Sequence, residues 1–274
     1  MIRATYINHM GDDLSVVNAA RVSFGKQSEA QGYTGKAGGA MRPVLTDRDT
    51  RLIRYLAKHE HISPFGHCFA SFHIKAPIFV ARQLVKHKFL RWNEISRRYV
   101  DDEPEFYVPD QWRGKSDDKK QGSSDDTLSN LDGMPMYGLA VNKEVYQNRH
   151  RKGSGTIGTQ HMANLVNQKA YHLYNNMITA GVAPEQARMV LPQSTMTEWY
   201  WSGSLDAFAD MCKLRCKKDT QWETFLVAVE ISTIMLDLFP VSWASLLGTT
   251  ETHIRPFDTS ERGRASERVQ ANQA

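Results

Sequence analysis

At 274 residues the chain can bury a sizeable core, as one large domain or two small ones. Its 34 basic and 30 acidic residues leave a net charge of +4 spread along the sequence, which does not by itself make a nucleic-acid binder. Three cysteines (Cys68, Cys212, Cys216) make no disulfide framework, and no apolar run approaches the roughly 20 residues of a membrane span, so a soluble, cytoplasmic protein is expected.

Residues 2–7 predict an opening strand. Asp12-Asp13-Leu14-Ser15 then starts a helix that ends near Phe24. The stretch 25–46, rich in Gly, Lys and Ser, reads as a flexible loop, after which Thr46 or Asp47 caps a helix carrying Leu52, Ile53, Leu56 and Ala57. Ser63-Pro64-Phe65-Gly66 is a turn, and residues 68–74 have strand composition. Pro77 suits the first turn of a helix predicted over 77–90, with Ile78, Ala81, Val85 and Phe89 on its apolar stripe. Gln83, Lys86 and His87 share another face of it.

The polar stretch 110–160 is expected to be a surface insert. Beyond it come a long helix over 161–180 closed by Gly181, a short one at 184–188 and a strand at 195–201. Amphipathic helices are predicted over 205–215 and 220–238, the second aligning Trp222, Phe225, Leu226, Val229 and Leu236. Residues 1–248 thus form the expected catalytic domain and 249–274 a polar tail. No glycine-rich phosphate loop points to a Rossmann or P-loop domain.

Chemistry concentrates in Lys86-His87-Lys88-Phe89-Leu90-Arg91-Trp92-Asn93-Glu94-Ile95-Ser96-Arg97-Arg98-Tyr99. Six cationic or imidazole side chains surround a carboxylate, an amide, a hydroxyl and a phenol, a mixture suited to an anionic, hydrogen-bonding ligand such as a nucleotide. Histidines 59, 61, 67, 73 and 87 are crowded, but none makes a His-x-x-x-His pair on a convincing helix, so no metal site is expected. The tryptophans are scattered through apolar segments, so most are expected in the core and not in a nucleic-acid stacking platform.

The segment resembles the R-H-R-x-x-S-x-N-E-x-S-x-R-Y signature of flavin-dependent thymidylate synthases, with Asn93-Glu94, Ser96 and Arg98-Tyr99 matching. Lys86 and Lys88 replace both flanking arginines, keeping the charge and losing the fork, and Arg91 replaces the first serine. Further blocks are similar: Ala19-Ala20-Arg21-Val22-Ser23-Phe24, His61-x-Ser63-Pro64-Phe65-x-His67, the run Phe72 to Gln83, Glu105-Phe106-Tyr107-Val108-Pro109, Gly181-Val182-x-Pro184-Glu185-x-Ala187-Arg188, and Leu214-Arg215-x-x-x-Asp219-x-Gln221-Trp222-Glu223.

The resemblance implies a single-domain α+β fold, with a mixed sheet flanked by helices, and a homotetramer with sites at subunit interfaces. It implies methylation of dUMP to dTMP, with methylenetetrahydrofolate as carbon donor, reduced FAD as hydride source and NADPH as reductant. Gln83, Lys86, Glu94, Ser96 and Arg98, with Arg97 beside it and Arg188 and Arg215 downstream, would meet the substrate. Arg215 would also activate the uracil ring as the catalytic residue. His61, Ser63, Lys86, His87, Lys88 and Glu94 would hold the flavin. Ser96 as a nucleophile would need a base, which Glu94 at i, i−2 supplies poorly, so it reads as a positioning group. Alternatives are hydroxymethyl transfer or dCMP as substrate on the same scaffold, and a nucleotide-binding module with a degraded flavin site.

Overall fold

Strands that bury every second residue and helices with explicit caps organise the chain. A computed structural model describes residues 1–35, 41–100, 102–110, 112–115, 123–128, 159–217 and 219–248. Its strands are β1 (Arg3–Met10), β2 (Tyr33–Thr34), β3 (Arg42–Pro43), β4 (Phe69–Pro77), β5 (Leu90–Glu94), β6 (Trp112–Lys115), β7 (Ser123–Leu128) and β8 (Met196–Ser204). The fold is α+β, as expected. The chain packs as two compact units that alternate along the sequence: Ile2–Lys75, Gln83–Glu94 and Glu198 onward form one; Ala76–Arg82 and Ile95–Thr197, with Met1, form the other.

The first of these units holds the main sheet, in the order β1-β4-β8-β5. β1 pairs antiparallel with β4, and β5 antiparallel with β8. β4 buries Ala70, Phe72 and Ile74 while Ser71, His73 and Lys75 stay half-exposed on the other face. On β8 Trp199 and Trp201 are buried in the same alternating way. Below them Trp201 meets Phe208 edge-on at 5.5 Å, and Phe208 meets Phe72 at 5.2 Å, on the helix Leu205–Arg215. The polar face is cross-linked by His73 and Lys75, whose Nε2 and Nζ lie 3.0 and 3.3 Å from the Glu198 carboxylate, and by Ser202 donating to Ser71 at 2.8 Å.

Caps legible in the sequence are formed. Asp12 accepts from the Ser15 amide at 2.7 Å, and Ser15 Oγ accepts from the Asp12 amide at 3.1 Å, starting the helix Asp13–Arg21. Gly11 turns the chain into it at φ +83°, and a Cβ there would lie 2.7 Å from Cys68 Sγ. Thr46 rather than Asp47 caps Asp47–Lys58, accepting from the Asp49 amide at 3.1 Å. Asp13 is itself a cap: its carboxylate accepts from the Val241 and Ser242 amides, each at 2.9 Å, at the start of Pro240–Leu247.

The second unit is built around the helix Thr159–Thr179, closed by Gly181 at φ +84°, followed by Pro184–Ala187 and a 3₁₀ turn, Arg188–Val190. Ser194 Oγ donates to Asn167 at 2.8 Å, Phe106 bridges Thr195, and the Met196 amide donates to the Glu105 carbonyl at 2.8 Å. β6 and β7 pair antiparallel.

Four expectations are corrected. The helix predicted over 77–90 is Ile78–Leu84, and the chain then turns and enters edge strand β5. Phe89 turns it with φ +64°, a conformation no helix accommodates. The proposed stripe fails with it, because Ala81 is buried but Val85 and Phe89 are 50% and 85% exposed. On Trp222–Leu238 the buried face is Thr224, Val227, Ala228, Ile231 and Met235, so tertiary packing, not the aromatic residues, chose the inward side. Most of the tryptophans expected in the core are there: Trp199, Trp201 and Trp243 are buried, while Trp92 is half-buried and Trp222 is exposed. The loop 25–46 carries the β2–β3 ladder, and its residues 36–40, most of 110–160 and all of 249–274 lie outside the described residues. The three cysteines are free thiols, Cys216 only half-buried. Among the described residues no helix is long and apolar enough to cross a membrane.

Candidate active site

The signature segment leaves the helix Ile78–Leu84 at its C-terminal end, so its polar groups project from a turn and an edge strand. Gln83, on the last helical turn, is already engaged: its amide donates to Gln221 and accepts from Thr224 Oγ at 3.0 Å. Both partners sit at the start of Trp222–Leu238, and this fixes the end of one helix against the beginning of another. The His87 amide donates to the Leu84 carbonyl at 3.1 Å and closes the turn.

His87 and Arg215 form the central pair. Arg215, the last residue of Leu205–Arg215, donates through Nε to His87 Nε2 at 3.1 Å. Burial and the neighbouring guanidinium push the His87 pKa down, so the ring is a neutral acceptor at ordinary pH. Burial also lowers the Arg215 pKa from the ordinary guanidinium value. With Nε committed, the two terminal nitrogens of Arg215 make no hydrogen bond among the described residues.

Lys86 and Lys88 flank His87 on the exposed side of the turn, and neither has an ion-pair partner among the described residues. Past Phe89, Gly203 on β8 faces Leu90; a Cβ there would collide with the Leu90 side chain and stand 3.1 Å from the Phe89 carbonyl. Glu94 ends β5, exposed, with the Trp92 indole N–H donating to its carboxylate at 3.1 Å. Arg91 lies on the other face of β5, the face of its register partner Ser202.

His61 and Ser63, exposed in the same unit, follow the helix Asp47–Lys58. The His61 ring lies 6.2 Å from Tyr55 at an interplanar angle of 15°, and Ser63 opens the 3₁₀ turn Ser63–His67. Glu60 and Phe89 are the non-glycine residues with positive φ among the described residues, at +56° and +64°. Each adjoins a sequence candidate, His61 and Lys88, and strain of this kind gathers at functional sites.

The remaining candidates lie in the other unit. Ser96 Oγ accepts from the Arg98 amide at 3.4 Å and contacts no titratable base among the described residues. Arg97 donates to the Asp102 backbone carbonyl at 2.5 Å and lies 3.6 Å from its carboxylate, which ties down the local loop. Arg98 lies 3.6 Å from Glu185 and 5.3 Å from the Tyr99 ring centroid. Arg188 is exposed at the start of its 3₁₀ turn. The structure therefore joins His87 to Arg215, Gln83 to Gln221 and Thr224, and Arg98 to Glu185.

Sequence reasoning assigned no role to Gln221, Thr224, Glu185 or Trp92. Gln221 and Glu185 do stand in blocks that matched the family, so a signal was present; the pairing of residues 83 and 221 was not visible. No cluster of three potential metal-ligating His, Cys, Asp or Glu side chains occurs among the described residues.

The donor set fits a flavin nucleotide. Lys86 and Lys88, exposed and without an ion-pair partner among the described residues, suit a pyrophosphate, and the exposed His61 imidazole suits the edge of a planar ring.

An edge-strand signature beside a half-buried arginine–imidazole pair on an α+β scaffold suits an anion- and nucleotide-handling enzyme, and comparison with known proteins narrows this further. The model of the family described as thymidylate synthase complementing protein matches residues 5–241. The chain is 34% identical over 239 residues to the flavin-dependent thymidylate synthase of Thermus thermophilus, covering 87% of this chain and 73% of that one. It is also 34% identical over 243 residues to that of Kosmotoga olearia, with 89% of both chains covered. Among solved structures, the UMP/dUMP methylase PolB of Streptomyces cacaoi, bound with 5-Br dUMP, aligns with a TM-score of 0.65 and 27% identity, over 92% of this chain and 97% of that one. The chain belongs to the flavin-dependent thymidylate synthase family. It is accordingly an enzyme of the methyltransferase class.

Proposed function

We propose that the protein methylates dUMP at C5 to give dTMP, taking the carbon from methylenetetrahydrofolate and using a bound FAD that NADPH reduces. The observation that carries this reading is the His87–Arg215 pair. A guanidinium held through Nε by a neutral imidazole keeps two terminal nitrogens for a ligand, and a pyrimidine carbonyl is a matching acceptor. A prepositioned cation favours the ionised ring, whose negative charge rests on that carbonyl oxygen and feeds C5 as it attacks the methylene carbon; such stabilisation is worth about 3–4 kcal/mol where single donors have been removed. Ser96, Arg97, Arg98 and Arg188 would bind the nucleotide, with Gln83, Lys86 and Glu94. His61, Ser63, Lys86, His87, Lys88 and Glu94 would hold the flavin, which when bound and reduced supplies the hydride that turns the transferred methylene into a methyl group. Exposed Val85, Phe89 and Leu214, next to Lys86, Lys88 and Arg215, support a site completed by a second copy within a homotetramer.

The structural neighbour PolB is named for UMP as well as dUMP, and it is also known bound with 5-Br UMP. The test therefore offers dUMP, UMP and dCMP in turn to the purified protein with FAD, NADPH and methylenetetrahydrofolate, and identifies products by mass. The expected product is dTMP. A hydroxymethyl product, or methylation of another pyrimidine only, would replace this reading with its neighbour. Failure to bind FAD even in excess would leave a nucleotide-binding module.

A further inference from the structure

Trp92 occupies a variable position of the signature. On β5 it shares a face with Leu90 and Glu94, opposite Trp201 in register, while Glu94 is opposite Trp199. Its ring stacks on Trp199 with centroids 4.3 Å apart and planes 18° apart, and meets Trp201 edge-on at 5.8 Å and 75°. Trp199 and Trp201 are each 1% exposed, and Trp201 leads through Phe208 to Phe72 in the core. The half-buried indole of Trp92 is thus packed against rings that are themselves buried. From this fixed ring the N–H donates to Glu94 Oε2 at 3.1 Å.

Glu94 by contrast is an exposed side chain at the end of edge strand β5. A long carboxylate side chain held in its rotamer before the ligand arrives avoids an ordering cost that would oppose binding. We infer that Trp92 is a positioning residue: it carries the rigidity of the aromatic core out to the edge strand and presents the Glu94 carboxylate to the nucleotide in one orientation. The inference rests on the reading of Glu94 as a substrate contact. It explains why a large aromatic residue stands half-exposed two residues before that carboxylate. A residue serving only the core would need the ring and not the N–H. A positioning residue needs both.

The substitution Trp92→Phe separates these, because it keeps a ring on Trp199 and removes the donor. In steady-state assays Trp92→Phe should raise the KM for dUMP about tenfold and leave kcat near the wild-type value, since an interaction made equally in ground and transition states is lost. In the Glu94→Gln background Trp92→Phe should add little to the KM, because the two residues act as one unit. A second measurement does not depend on either variant being active: the Trp92 indole N–H NMR resonance should shift in Glu94→Gln. Equal KM values for wild type and Trp92→Phe, or an unmoved indole resonance, would overturn the role given to Trp92 and leave the proposed activity standing. A wild-type protein that neither binds nor turns over dUMP would sink the dUMP reading, and the role of Trp92 with it.

Discussion

Arg21 and the pair Lys86 and Lys88 carry the same kind of charge and are treated in opposite ways. Arg21 is nearly buried and donates through Nε and a terminal nitrogen to Asp49, at 3.2 and 2.5 Å. Asp49, 2% exposed, also accepts from Ser28 at 3.0 Å and from the Thr46 hydroxyl at 2.8 Å. Burial alone would raise its pKa, but the bonds from Arg21, Thr46 and Ser28 hold it below the ordinary carboxylate value. That charge is spent on the fold. Lys86 and Lys88 have no such partner among the described residues, and Arg215 has committed only its Nε. The difference separates structural cations from those kept for a ligand. Changes at Asp49 should alter stability, and changes around His87 should alter binding and turnover.

Asp49→Ala should have the largest effect, about 3–5 kcal/mol of lost stability by chemical denaturation, because it strands Arg21 with no partner. Arg215→Ala should lower turnover about 10²–10³-fold while leaving the denaturation midpoint almost unchanged. Lys86→Ala with Lys88→Ala should weaken FAD binding roughly tenfold to a hundredfold, measured by flavin fluorescence titration, again without loss of stability. Removing the cap in Thr46→Ala should cost about 1 kcal/mol of stability, the smallest of these effects.

A pH series sharpens the same contrast. The folded pKa of Asp49 is depressed, so its contribution is present above the ordinary carboxylate value and is lost as pH falls through its folded pKa. Asp13 runs the other way: burial raises its pKa against the bonds from Ser242 and Val241. Its contribution is complete below the ordinary value and is lost as pH rises through its folded pKa. Denaturation midpoints of wild type between about pH 3 and pH 6 should therefore fall toward acid less steeply in Asp49→Asn and more steeply in Asp13→Asn.

Much of the scaffold could be read from local chemistry. The Asp12–Ser15 capping box, the Thr46 cap, the turn at Gly181 and the helix Leu205–Arg215 depend on residues a few positions apart, and each formed where expected. Segment 85–94 was misread because its fate depends on partners far away: β8 pairs with it, Gly203 makes room for Leu90, and Phe89 takes a conformation that no local propensity favours. The buried face of Trp222–Leu238 was misjudged for the same reason. Of the site, Arg215 was legible through the family blocks, whereas its bond to His87, 128 residues away, required the fold. Trp92 was grouped with the core tryptophans because the strand that carries it, and hence its bond to Glu94, was not visible in the sequence.

The most direct test of the central claim is tritium release from [5-³H]dUMP. With FAD, NADPH and methylenetetrahydrofolate, wild type should release tritium in step with dTMP, and Arg215→Ala should do so about 10²–10³-fold more slowly although it still binds flavin. Release by Arg215→Ala at the wild-type rate would contradict the account, as would a flavin-loaded wild type that oxidises NADPH and leaves the C5 tritium in place.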